Sequence, residues 1–306
     1  MTELLDKIKM TSHTYLTDEM AAQIAALEKS CVDYDGTALK LELNYKLACA
    51  HEVNGANVAN AETNDKNEFL AWFGERLVGY IGICSFGGSA MEVNGMVEPD
   101  FRKHGIFTSR FESVKEEWQR RSTLPMLLLT DRKSTEGQVF VRKTGAVHAH
   151  SEYEMILDTN KHTISMNSES IILRKATNED AKEVAHQNGI YFGESMENKP
   201  LIMPEVEAER GLTIYIAEVA HTIIGKVNLQ RTGNIGAIYG LGVLPKFRGR
   251  GLGRTLLQTA IETFKVDGYE KVMLQVEAMN DTALSLYLSC GFEITSTMDY
   301  FELKKG

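Results

Sequence analysis

The chain repeats itself. The run Val97-x-Pro99-x-Phe101-Arg102-x-x-Gly105 returns 146 residues later as Val243-x-Pro245-x-Phe247-Arg248-x-x-Gly251. The same offset, without a gap, sets Ala71 on Ala217, Gly79 on Gly225, Leu128 on Leu274, Gly145 on Gly291 and Leu157 on Leu303. An internal repeat restricts the fold more than composition does, because each copy must be a unit in its own right. The 306 residues therefore read as two copies, 1–158 and 170–306, joined by a polar linker at 159–169. With 43% hydrophobic and 25% charged residues, there is apolar material for a core in each.

The second copy carries the sharper chemistry, in residues 236–254, GAIYGLGVLPKFRGRGLGR. An apolar strand (Ala237 to Val243) meets Pro245, then a glycine-rich turn, then a helix-patterned segment from Arg254. A strand feeding such a turn aims several backbone N–H groups at one anion, and the helix N-terminus adds partial positive charge. Arg248 and Arg250 can add charge-assisted bonds to phosphate oxygens. The pattern points to a diphosphate. Single residues separate Gly249, Gly251 and Gly253, so the dinucleotide fingerprint G-x-G-x-x-G is absent, and no Gly-Lys-Ser/Thr closes a Walker loop.

Periodicity places a helix over residues 14–30, capped by Thr17, and a second over Thr37 to Leu47. Residues 51–67 read as loop, and strands are expected at Phe69 to Phe73 and Leu77 to Ser85. The second copy reads as a strand at Ile171 to Arg174, a helix at Asp180 to Gln187 capped by Thr177 or Asn178, and a loop from Gly189 to Pro204. Strands at 213–219 and 223–229 follow, then the strand–turn–helix, with the helix from Gly253 to about Val266. A strand at Lys271 to Glu277 and a helix at Thr282 to Ser289 come next, and Phe292 to Leu303 is expected to hold two strands. Helices interleaved with a mixed sheet give an α/β or α+β class.

Val243-x-Pro245-x-x-Arg248-Gly249-x-Gly251-x-Gly253, followed by Asn280-x-x-Ala283-x-x-Leu286-Tyr287-x-x-x-Gly291-Phe292, resembles the acetyl-coenzyme A signature of the GNAT superfamily of N-acetyltransferases. The pair in this order is far more specific than either half. The resemblance implies two tandem GNAT folds, each a twisted, mostly antiparallel sheet whose two middle strands splay apart. The two-copy arrangement is similar to that of tandem GNAT proteins such as mycothiol synthase.

It also implies a co-substrate and its contacts. Leu241, Gly242 and Val243 would lie beside the pantetheine arm of acetyl-CoA, and the amides from Arg248 through Gly249, Arg250, Gly251, Leu252 and Gly253 to Arg254 would face the pyrophosphate. Tyr287 stands where many members carry the tyrosine that protonates the leaving thiol; alternatively its ring packs in the core beside Leu284 and Phe292. Asn280 either bonds the coenzyme arm or caps its helix. The implied reaction is acetyl transfer to an amine, and a Lys-like amine with a pKa of about 10.4 must first lose a proton. The strand at 234–244 holds no carboxylate, which leaves Glu277, Glu194, Glu197 or a water chain as the acceptor of that proton.

The first copy keeps Pro99, Arg102 and Gly105. It has Lys103 and Phe107 for Gly249 and Gly253, Val141 for Tyr287 and Ser134 for Asn280. It reads as degenerate, with the second copy active. A coenzyme-binding sensor without turnover is the alternative, since it needs no base. A transferase using aminoacyl-tRNA fits poorly, because the net charge is −9 and the coenzyme signature is intact. No basic excess serves nucleic acid or an anionic membrane, and the partner expected is a small-molecule or peptide amine. No apolar run approaches the roughly 20 residues of a membrane span. Cys31, Cys49, Cys84 and Cys290 are scattered, with no metal-like spacing, which fits a reducing, cytoplasmic setting. A monomer built as a pseudo-dimer, or a homodimer, is expected.

Overall fold

The structure, a computed structural model, describes residues 2–55, 64–85, 90–121, 124–158, 171–193 and 201–305. The first half runs α1 (Thr2–Leu5), β1 (Ile8–His13), α2 (Asp18–Asp35), α3 (Leu43–Gly55), β2 (Glu68–Phe73), β3 (Arg76–Cys84), β4 (Met91–Val97), α4 (Ile106–Arg121), β5 (Met126–Asp131), α5 (Thr135–Lys143) and β6 (Val147–Leu157). The second runs β7 (Ile172–Lys175), α6 (Ala181–Phe192), α7 (Pro204–Glu209), β8 (Leu212–Val219), β9 (Thr222–Thr232), β10 (Ile235–Val243), α8 (Leu252–Val266), β11 (Lys271–Glu277), α9 (Asp281–Ser289) and β12 (Phe292–Leu303).

The chain forms two compact units that are not its two contiguous halves. One comprises residues 1–151 with 296–306, the other residues 152–295. In the first, the strand order is β1-β2-β3-β4-β5-β12; in the second it is β7-β8-β9-β10-β11-β6. The last place in each sheet is filled by the terminal strand of the other repeat. Met298–Leu303 run antiparallel to Asp131–Met126, and Glu152–Ile156 antiparallel to Glu277–Met273.

Within each unit, helices cover the sheet by burying one face. In α8, Leu256, Leu257, Ala260, Ile261 and Phe264 are fully buried, at spacings that put them on one stripe. Each such Leu, Ile or Phe contributes roughly 1.5–3 kcal/mol. Phe264 reaches so close to β10 that a Cβ on Gly236 would meet its ring at 2.5 Å. The N-terminal unit does the same with Ile106, Phe111, Val114 and Trp118 of α4. None of the four cysteines is in a disulfide.

Several expectations need correcting. Residues 37–42 are not helical: Glu42 has φ +56°, and the segment is held by distant partners, Ala38 N–H on Asp131 Oδ2 (2.8 Å) and Lys40 Nζ on the Tyr300 hydroxyl (2.6 Å). The helix starts later, at Leu43, and runs through residues read as loop. Likewise α6 continues to Phe192, where Gly193 in the left-handed region ends it, and Pro204 opens α7 at a position where its missing N–H costs nothing. β1 was not anticipated. Phe292–Leu303 is one continuous strand, not two. The linker at 159–169 lies outside the described residues.

Candidate active site

The site of the C-terminal unit starts from a break in β10. Its parallel pairing with β11 covers only Ile235–Ile238 against Lys271–Leu274, although β10 continues to Val243 and β11 to Glu277. Beyond Ile238 the two strands part, opening the splay. On its other side, β10 pairs with β9 through Tyr239↔Asn228 and then Gly242↔Lys226, which leaves one extra residue on β10. This is a β-bulge, with Gly240 at φ +52°. Bulges turn backbone groups out of the ladder and recur beside active sites. The N-terminal unit has the splay, since β4 pairs with β5 only over Met91–Val93. It lacks the bulge: β3 and β4 stay in register from Gly79↔Val97 to Cys84↔Glu92.

Past the bulge, Leu241 packs against the core, Val243 is buried, and Gly242 lies under the ring of Tyr191, which a Cβ there would meet at 2.3 Å. A short 3-10 turn, Pro245–Phe247, leads to Arg248, whose Nε donates to the Val243 carbonyl at 2.8 Å. Gly249 (φ +74°) and Gly251 (φ +78°) take left-handed conformations, and space is open where a Cβ on Gly249 would stand. α8 then begins at Leu252, so the amides of Leu252 and Gly253 precede the first bond of the helix, while those of Arg254 and Thr255 already donate to the Gly251 carbonyl at 3.1 and 3.2 Å.

Two arginines of the motif differ in what they hold. Among the described residues no carboxylate pairs with Arg248. Arg254 is engaged at the end of α9, donating to the Ser289 hydroxyl (2.7 Å), the Ser289 carbonyl (3.4 Å) and Cys290 Sγ (3.3 Å). Arg250 is exposed. Asn280 caps α9, its Oδ1 accepting from Ala283 N–H at 3.1 Å. Tyr287 is buried with its ring edge-on to Phe292 at 6.1 Å, and burial pushes its phenol up to about 12. Glu277 is exposed at the end of β11; Glu194 and Glu197 lie outside the described residues.

The sequence reading passed over two residues here, Lys226 and Tyr191. Lys226 on β9 is fully buried, its Nζ donating to Asn228 Oδ1 (3.1 Å) and to the bulge carbonyl of Gly240 (3.3 Å), 6.0 Å from the Tyr191 ring centroid. Burial pushes this amine down to about 8. The signal was present in the sequence: a lysine inside the apolar strand run IIGKVNL.

In the N-terminal unit the matching cleft is a cavity of about 270 Å³, lined by Val93, Met96, Phe107, Leu128, Phe140 and Val141 among others. Arg102 makes the same anchoring bond as Arg248, Nε to the Val97 carbonyl at 2.8 Å, but Asp35 takes both its terminal nitrogens at 2.7 Å each. Lys103 stands where Gly249 does in the other copy and keeps the left-handed φ, +65°. Phe107 packs edge-on against Phe140.

Residues 180–292 match the profile of the Acetyltransferase (GNAT) family. Over 105 residues, 33% of this chain and 74% of its relative, the chain is 31% identical to acetyltransferase SG1711 of Sodalis glossinidius (strain morsitans). The chain belongs to the GNAT acetyltransferase family. Solved GNAT structures resemble it along its whole length. A tandem GNAT protein from the clavulanic acid biosynthesis pathway matches with TM-score 0.73 and 15% identity, over 98% of this chain and 99% of that one. A GCN5-related N-acetyltransferase from Sphaerobacter thermophilus matches with TM-score 0.72 and 18% identity, over 97% and 96%. At such identities the likeness is one of fold. The GNAT fold supports acyl transfer, and among the described residues no helix is long and apolar enough to cross a membrane.

Proposed function

We propose that this GNAT protein moves the acetyl group of acetyl-CoA onto an amine, in the C-terminal unit alone. The observation that carries the reading is the bulged, splayed end of β10 running into a glycine turn whose Arg248 pairs with no carboxylate among the described residues. Leu241, Gly242 and Val243 would hold the pantetheine arm by strand-like backbone bonds. The amides from Gly249 to Gly253, with the Arg248 guanidinium, would hold the pyrophosphate, the Arg248 N–H being bonded to the Pro245 carbonyl at 3.2 Å. Arg254, its side chain engaged by α9 and its N–H by the Gly251 carbonyl at 3.1 Å, would brace the turn.

The reaction forms a C–N bond at the thioester carbonyl and breaks the C–S bond. The bulge frees backbone groups that can polarise that carbonyl. Tyr287, kept protonated by burial, would supply the proton that the departing sulfur takes up. Asn280, its Oδ1 spent on the cap, retains an amide NH2 for the coenzyme arm. The proton of the amine would leave through water, as β10 offers no carboxylate. The N-terminal unit would be degenerate: its arginine is already neutralised, its bulge is absent, and Val141 replaces the tyrosine.

Thiol release from acetyl-CoA, followed with a panel of amines, tests this. Release that needs both an amine and Tyr287 supports transfer. Tight binding with no release for any amine would point instead to a coenzyme-binding sensor.

A further inference from the structure

Lys226 has no carboxylate within ion-pair distance among the described residues, and its position deserves comparison with the same place in the other repeat. There Tyr80 stands at the matching position of β3, and the amine of Lys46 comes in from α3. A Cβ on Gly82, the counterpart of Asn228, would meet Lys46 Nζ at 2.6 Å, so the two buried ammonium groups occupy equivalent places in their folds. In the N-terminal unit the charge is neutralised internally: Lys46 Nζ lies 2.9 and 3.1 Å from the Glu68 carboxylate oxygens, and Tyr80 donates to Glu68 Oε2 at 2.5 Å. In the C-terminal unit the counterpart of Glu68 is Ile214, and among the described residues Lys226 donates to neutral oxygens alone.

The same contrast holds at the glycine turn, where Arg102 has Asp35 and Arg248 pairs with no carboxylate among the described residues. Lys46 and Arg102 of the N-terminal unit thus each hold a carboxylate, whereas Lys226 and Arg248 of the C-terminal unit hold none among the described residues. Arg248 sits at the phosphate end of β10, while Lys226 sits at the bulge, beside the stretch where the acyl group would lie. A buried ammonium facing only neutral dipoles is costly to keep and becomes favourable when an anion joins it.

We propose that Lys226 receives a carboxylate of the substrate, so that the C-terminal unit selects a reactant bearing one close to the reacting carbon or nitrogen. This rests on the acyl-transfer reading above. One ammonium with no arginine or helix N-terminus beside it suits a single carboxylate better than a phosphate. Two reactants could bring that group: the acceptor amine, as an amino acid does, or the acyl chain, as a dicarboxylic thioester does. The groups facing Lys226 are Asn228 and the Gly240 carbonyl from the sheet and Tyr191 from α6, whose hydroxyl is held by Gln187 at 2.8 Å; Gln187 is in turn bonded to Glu183. The Tyr191 ring lies over both Lys226 and Gly242, so it walls the space the carboxylate would enter.

The experiment uses reactants matched except for the carboxylate. With acetyl-CoA as donor, thiol release is compared for L-lysine against cadaverine and β-alanine against ethylamine. With cadaverine as acceptor, succinyl-CoA is compared with propionyl-CoA. Wild type is expected to favour the carboxylate-bearing member of one arm by about tenfold or more in kcat/KM, and Lys226→Met to bring that ratio close to one. The arm that responds identifies which reactant carries the group. Ratios near one in wild type, or a ratio unchanged in Lys226→Met, would overturn the proposal while leaving acyl transfer intact. Calorimetric affinities for succinyl-CoA against propionyl-CoA, and for L-lysine against cadaverine with CoA bound, decide the question without turnover: equal values in both comparisons overturn it.

Discussion

Asp35 holds both terminal nitrogens of Arg102, each at 2.7 Å, in the N-terminal unit's copy of a turn where the C-terminal copy's Arg248 meets no carboxylate among the described residues. The difference sets how many coenzyme molecules the chain should bind. Calorimetry with CoA is expected to give one site per chain. Arg248→Ala should weaken that site about tenfold to a hundredfold. Arg102→Ala should leave its affinity unchanged and cost about 1 kcal/mol of stability through the lost bidentate pair. Two equal sites in the wild-type protein would contradict this.

Tyr287 offers a second check. Because burial pushes its phenol up to about 12, it stays protonated throughout the working range, and the alkaline limb of a pH–rate profile should not belong to it. Tyr287→Phe keeps the ring against Phe292 and removes only the hydroxyl. The expected outcome is kcat lower by about 10²-fold with CoA affinity unchanged. A kcat equal to wild type would assign the tyrosine to packing alone.

The buried amine of Lys226, pushed down to about 8, makes two signed predictions. Between pH 8 and the unfolded value near 10.4, the unfolded chain binds more protons at this residue, so its contribution to stability rises with pH. Lys226→Met is accordingly expected to stabilise the protein at pH 7, on the order of 2 kcal/mol, and by less as pH approaches 10. Urea midpoints at the two pH values measure the difference. The preference for carboxylate-bearing reactants should fade in kcat/KM as pH passes about 8, when the free protein loses that charge.

A fourth prediction concerns Asp299 of β12, buried in the N-terminal unit. Burial alone would raise its pKa, but it is outweighed by bonds from Arg132 (2.6 Å), Ser151 (2.7 Å) and Gln138 (3.0 Å), which hold the carboxyl below its usual value. The stability it contributes is present above the unfolded pKa of about 3.9 and disappears as pH falls through the lower folded value. Asp299→Asn should cost about 2–3 kcal/mol at pH 7. The gap from wild type in denaturant midpoint should close on acidification below about pH 4.

Much of this architecture was legible in the residues. The ungapped repeat and the run from Ala237 to Gly253 carry local information, since strand, turn and helix there are each specified by neighbours in sequence. Other features depend on partners far along the chain. Residues 37–42 look helical by composition, yet Asp131 and Tyr300 draw them straight. The alternation in 147–157 and 292–303 marks strands without saying which sheet each joins, because pairing is decided by distant edges. The site divides in the same way. The glycine turn announced itself, whereas Lys226 gains meaning only once the bulge places it beside Gly240 and no carboxylate arrives.

The exchange of terminal strands bears on how the protein is made. A ribosome finishes residues 1–158 roughly 7–27 s before it reaches β12, at ordinary elongation rates. Throughout that interval the nascent N-terminal unit has an open edge at β5, with Met298, Tyr300 and Phe301 still missing from its interior. Closure of both units is thus a late, coupled event. A protease cutting between 159 and 169 would release two fragments that each contain one strand belonging to the other, rather than two self-sufficient domains.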